Sequence, residues 1–133
     1  MKVYEILTEG LSHDKADKIL TAFIKFAADH IGLTELPNIN LMTDTDRSVK
    51  HSSFGGYGNY NINITITNRH VIDVCRTLAH ELVHFKQDIN NELDDNAGDT
   101  GSPQENEANA EAAVIMRNWG KKYPNLFKQP AIY

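Results

Sequence analysis

A chain of 133 residues with a formal net charge of −5, 41% hydrophobic and 23% charged residues has the composition of one folded domain, residues 1–133, and excludes fibrous and disordered classes. Its 13 Lys and Arg are scattered, which argues against nucleic-acid binding, because phosphate contact needs cations concentrated on one face. The single cysteine, Cys75, excludes an intrachain disulfide and a CxxC metal knuckle and is expected in the core of a protein from a reducing compartment.

Met1 to Leu11 lacks the basic start, apolar run and small-residue cleavage site of a secretory signal. No apolar run approaches a membrane span, so a cytoplasmic monomer, of a cell or an infected host, is the expectation. Ser12, with Asp14 and Asp17 behind it, then opens an amphipathic helix through Ala16, Leu20, Phe23, Ala27 and Ile31, stopped by Gly32. Pro37 starts a short strand in which Ile39 and Leu41 alternate with asparagines, and Thr43 to Ser53 reads as a loop. The Phe54-Gly55-Gly56-Tyr57-Gly58 run predicts a turn or bulge. Beyond it Tyr60, Ile62, Ile64 and Ile66 alternate with Asn and Thr, the clearest strand, apolar on one face only.

Val71 to about Ile89 predicts a second helix carrying His80-Glu81-Leu82-Val83-His84. Residues four apart stand on one helix face, so both imidazoles can reach one cation while Glu81 stands beside it. With 6 histidines in the chain, this spacing arises by accident in roughly 1 to 2% of such sequences, so the context must decide. At about 100° per residue, taking His80 as zero, Asp73 lies near 20°, His84 near 40°, Thr77 near 60° and Glu81 near 100°, whereas Val71, Leu78, Leu82, Phe85 and Ile89 lie between about 140° and 200°. The histidines thus leave the apolar stripe and share an arc with Asp73, a candidate to orient one of them.

Asp88 to Gly101 is acidic and turn-rich, without calcium-loop spacing, and predicts a connecting loop. Ser102-Pro103-Gln104-Glu105 then begins a third helix: Ser at the N-cap, Pro at the first position and Glu at the third form a capping box. That assignment gives Glu105 a structural task and leaves Glu107 as the preferred third ligand of a His₂Glu site, with Glu105 in reserve. Glu111, four residues on, is the candidate acceptor for the remaining N–H of a ligand histidine. The helix is predicted to stop at Gly120, and the tail from Lys121 to Tyr133 either packs or covers the cleft.

His80-Glu81-x-x-His84 followed by Asn106-Glu107-Ala108-Asn109-Ala110-Glu111 resembles the gluzincin branch of zinc metallopeptidases, and the Glu-Ala-Asn run is similar to the small ImmA/IrrE-like and minigluzincin-type peptidases. The size and style are also similar to short metallopeptidase-like phage proteins. The resemblance covers roughly residues 60 to 120. It implies an α+β, zincin-like fold: a small twisted sheet with an edge strand above the HExxH helix, an N-terminal helix, and a C-terminal ligand-bearing helix. It implies a peptidase acting on a peptide or protein substrate, with one Zn²⁺ per chain held by His80, His84 and Glu107. Glu81 is then the general base, by the same chemistry that the residues themselves indicate. Tyr57, Tyr60, His70 and Tyr123 are possible second electrophiles, with His70 and Tyr123 preferred, and the strand bearing Tyr60, Ile62 and Ile64 is expected to bind substrate by strand addition. Two alternatives differ in class: a non-catalytic zincin-fold interaction module, and a deformylase-like hydrolase, for which Cys75 lies on the wrong side of the helix.

Overall fold

The computed structural model describes residues 10–43 and 55–132. Among these residues, three helices and a mixed three-stranded sheet make an α+β fold in the order α1 (His13–Ile31), β1 (Asn38–Met42), β2 (Gly55–Gly58), β3 (Asn61–Thr65), α2 (Val71–Ile89) and α3 (Pro103–Lys122), followed by a 3₁₀ turn over Pro124–Lys128. The expected loop from Thr43 to Ser53 lies, after Thr43, outside the described residues, as do Met1 to Glu9, Phe54 and Tyr133.

Local chemistry sets the helix ends. Ser12 Oγ accepts from the Lys15 N–H at 3.2 Å to start α1, and Gly32, at φ 88°, takes the left-handed conformation that ends it. His70 caps α2 by accepting the Ile72 N–H on Nδ1 at 3.1 Å. The third helix runs two residues beyond the expected stop at Gly120, to Lys122.

The sheet differs from the expected one in a way that matters for the site. The Gly55–Gly58 run is a strand, paired antiparallel with β3, and the strand order is β1-β3-β2. With β1 parallel to it on the other side, β3 is central. Ile62 and Ile64 are fully buried, and β3, paired on both sides, offers no free edge for the expected strand addition. Tyr60 lies outside the strand, at the second central position of a two-residue hairpin turn in which Asn59 and Tyr60 both have positive φ, 55° and 62°. On the opposite face, Asn40 Nδ2 donates to Asn63 Oδ1 at 2.8 Å, closing the polar side that the alternation predicts.

Gly55 lets β2 approach α2. A Cβ there would sit 2.5 Å from Thr77 Cγ2 and 3.3 Å from Ile64 Cγ1, so any side chain would push the strand off the helix. Thr77 is not free to yield, because its hydroxyl donates to the Asp73 carbonyl at 3.1 Å and accepts from Arg69 Nη2 at 2.8 Å.

Helix α2 lies at the centre, covered by β2 and β3 on one side and by α1 and α3 on others. Its Val71, Val74, Cys75, Leu78 and Leu82 join Leu20 and Phe23 of α1, Ile62 and Ile64 of β3, and Ile115 and Trp119 of α3 in one core. Near the start of α3 the buried stripe consists of Ala108 and Ala112, small enough for α3 to run close to α2. The C-terminal segment packs at the opposite side of the molecule: Ile132 is buried, its N–H donating to the Arg69 carbonyl and its own carbonyl accepting from Asn68 N–H. No helix among the described residues is long and apolar enough to cross a membrane.

Candidate metal centre

The 3.6-residue repeat places His80 and His84 on one side of α2, and the close approach of α3 brings an acidic side chain over them. His80 Nε2 lies 3.0 Å from Glu105 Oε1, His84 Nε2 lies 3.0 Å from Glu105 Oε2, and the two ring nitrogens are 3.2 Å apart. Their ligand-type atoms all fall within 4.8 Å, the only such cluster among the described residues. The rings meet edge to face at 4.8 Å between centroids.

Glu105, not Glu107, is the carboxylate at the histidines. Ser102 Oγ accepts the Glu105 N–H at 3.0 Å, as an N-cap should, but the Ser102 N–H donates to the Asp99 carbonyl at 3.0 Å, so the reciprocal half of the capping box is absent. The Glu105 side chain is thereby available to α2. Two residues on a helix differ by about 200° in direction, which turns Glu107 away from the histidines. Its Oε1 instead accepts from Gln87 Nε2 at 2.8 Å, and it lines a separate cleft with His30, Val83, Lys86 and Glu111. Glu111 faces His30 at 3.6 Å and touches neither motif histidine.

The side chain beside His84 Nδ1 is not Glu111 but Gln87. Gln87 Oε1 lies 2.7 Å from His84 Nδ1, and its amide nitrogen also donates to the Gln104 carbonyl at 3.0 Å. Asn109, one turn after Glu105, hydrogen-bonds His80. The sequence signals for both were spacing alone: Gln87 is three residues after His84, and Asn109 four after Glu105.

Glu81 shares the cleft, about 410 Å³ in volume, which is lined by Gly55, Gly56 and Tyr57 of β2, by His80, Glu81 and His84, by the loop from Leu93 to Gly98, and by Glu105. Glu81 and His84 are 8% and 7% exposed, so the motif lies under cover rather than on a solvated face. Burial pushes the Glu81 carboxyl from 4.5 up to about 7, the attraction of His84 opposing and the negative Glu105 assisting. Burial also lowers His80 below 6.5, helped by His84 and opposed by Glu105. Two other clefts, of about 470 and 580 Å³, flank Tyr60 and the groove between α1 and β1, and no comparable convergence of donors lines either.

The remaining expected site residues stand elsewhere. Asp73 is held by the buried Arg69, whose Nη2 and Nε reach its Oδ2 at 2.7 and 2.9 Å, and it orients no ligand histidine. His70 is spent on the N-cap, ten residues or roughly 15 Å of helix from His80. Tyr123 packs its ring at a tilt against Trp119 at the far end of α3, 18 residues beyond Glu105 by number. Tyr60 packs its ring against Phe85 and is 54% exposed beside a different cleft. Of the four electrophile candidates only Tyr57 borders the Glu81 cleft, and its hydroxyl donates to Asp88. No residue of the 121–132 tail lines that cleft. Searches of family models, of curated proteins and of solved structures found no match to this chain.

Proposed function

We propose that this chain is a small zincin-like metallopeptidase in which His80, His84 and Glu105 hold one zinc ion and Glu81 is the general base. The observation that carries the proposal is the convergence of His80 Nε2, His84 Nε2 and both oxygens of Glu105 at 3.0 to 3.2 Å in a cleft that also contains Glu81. Two imidazoles and one carboxylate are a standard hydrolytic donor set, and one ligand atom from each of the three side chains lies within 4.8 Å of the others. When bound, zinc supplies Lewis acidity, lowering the pKa of a coordinated water and polarising a substrate carbonyl.

The chain's own residues do the rest. Glu81, in the same cleft, takes a proton from water and returns it to the leaving amine. An extended peptide is placed against β2, the sheet edge that borders the cleft, rather than against β3. The glycines there leave room for backbone to approach backbone.

Elemental analysis of the purified chain is expected to give about one zinc per molecule, and Glu81→Gln should keep the metal and lose hydrolysis of a mixed peptide library. A Glu81→Gln protein that cleaves as fast as the parent removes Glu81 as the base. Metal uptake by the parent with no turnover on any peptide assigns the chain to the non-catalytic class instead.

A further inference from the structure

Gln87 is 1% exposed, yet all of its amide contacts can be assigned. Its nitrogen faces two oxygens, the Gln104 carbonyl at 3.0 Å and Glu107 Oε1 at 2.8 Å, neither of which donates. The NH₂ group must therefore occupy that end, which leaves Oε1 facing His84 Nδ1 at 2.7 Å. An oxygen in that place requires hydrogen on Nδ1. A continuous chain results: His84 Nδ1–H to Gln87, and Gln87 N–H to Glu107 and to the backbone of α3.

We infer that Gln87 is a positioning residue for the cation proposed above: it fixes hydrogen on His84 Nδ1, orients the ring so that Nε2 faces Glu105 and His80, and is itself held by Glu107. The inference rests on the metal reading of the site, but the hydrogen-bond chain has a test of its own. Both anchors of Gln87 belong to the same turn of α3 as Glu105, so the device also locks the carboxylate-bearing turn to the histidine-bearing one. Glu107, which does not reach the histidines directly, acts on them through this amide.

The experiment combines three variants with two readouts. Gln87→Met keeps the length of the side chain and removes both polar ends, and should weaken cobalt and zinc binding by roughly 10- to 100-fold in competition with a chromophoric chelator. Gln87→Glu combined with Glu107→Gln restores an acceptor for Nδ1–H and a donor to hold it but sets a carboxylate oxygen against the Gln104 carbonyl, so it should bind better than Gln87→Met and less well than the parent. Glu107→Gln alone retains an oxygen for the Gln87 amide and should bind within about threefold of the parent. Binding by Gln87→Met equal to that of the parent, or a double variant no better than Gln87→Met, overturns the inference.

The second readout needs no metal and covers the case in which Gln87→Met does not fold. Long-range ¹H–¹⁵N spectra of the parent in excess chelator should show hydrogen on His84 Nδ1, protected from exchange. A bare Nδ1 overturns the role of Gln87 whether or not metal binds. A protonated Nδ1 in a parent chain that takes up neither cobalt nor zinc overturns the metal centre while leaving the hydrogen-bond chain in place.

Discussion

Replacing Glu81 with Gln in the metal-free protein should stabilise the fold by an amount that depends on pH, and the dependence follows from burial. In the folded chain the carboxyl releases its proton at about 7, whereas the ordinary value is 4.5. Between these two values the folded state binds more protons than the unfolded state, so the parent loses stability as pH rises through that window. At roughly 1.4 kcal/mol per pH unit, the loss amounts to about 3 kcal/mol above pH 7. Gln has nearly the same shape and does not ionise. The stability difference between variant and parent should therefore be near zero below about pH 4.5, grow through the window, and level at about 3 kcal/mol above it. His80 works in the opposite sense in both proteins, since its lowered pKa costs stability as pH falls below 6.5. The assay is urea unfolding followed by circular dichroism in excess chelator, at several pH values from about 4 to 8. Parallel stability curves for the two proteins would refute the claim that a buried carboxylate strains the site. A variant more stable than the parent in chelator yet inactive with metal would join that strain to the proposed chemistry.

Other outcomes follow from the packing. Gly55→Ala should cost about 1 to 3 kcal/mol in thermal or urea unfolding, because the new Cβ meets a Thr77 side chain pinned by two hydrogen bonds, and adding Thr77→Ser, which removes the Cγ2, should recover most of the loss. Ser102→Ala should remove the N-cap of α3 at a cost of about 1 kcal/mol and also weaken metal uptake, since the frayed turn carries Glu105. Glu105→Gln should weaken zinc retention on dialysis far more than Glu107→Gln; equal losses would contradict the placement of these two carboxylates. Leu78→Ala, at a fully buried core position, should destabilise by roughly 2 to 5 kcal/mol without altering the ligand set.

The helices of this protein are legible from neighbours in the chain. Ser12 and Gly32 bound α1, Ser102 and Pro103 start α3, and the four-residue step puts His80 and His84 on one side of α2, because caps and helical repeats act over a turn or two of backbone. The alternation at Ile62 and Ile64 likewise marks a strand with one apolar face. It does not say whether that strand is central or at an edge, since this depends on what pairs beside it, and the pairing strand is a glycine-rich run that lacks the usual signature. Nor does the sequence choose between Glu105 and Glu107. Both are acids in the first turns of one helix, and the choice rests on how α3 is rotated about its axis, which Ala108 and Ala112 settle by packing toward the core. Gln87 was hidden for the same reason: its two partners at the start of α3 are distant in the chain and adjacent only once the helices pack. Local backbone preference thus determined the elements and the histidine pair, whereas contacts between helices decided which carboxylate faces that pair, which strand borders the cleft, and what holds His84 in place.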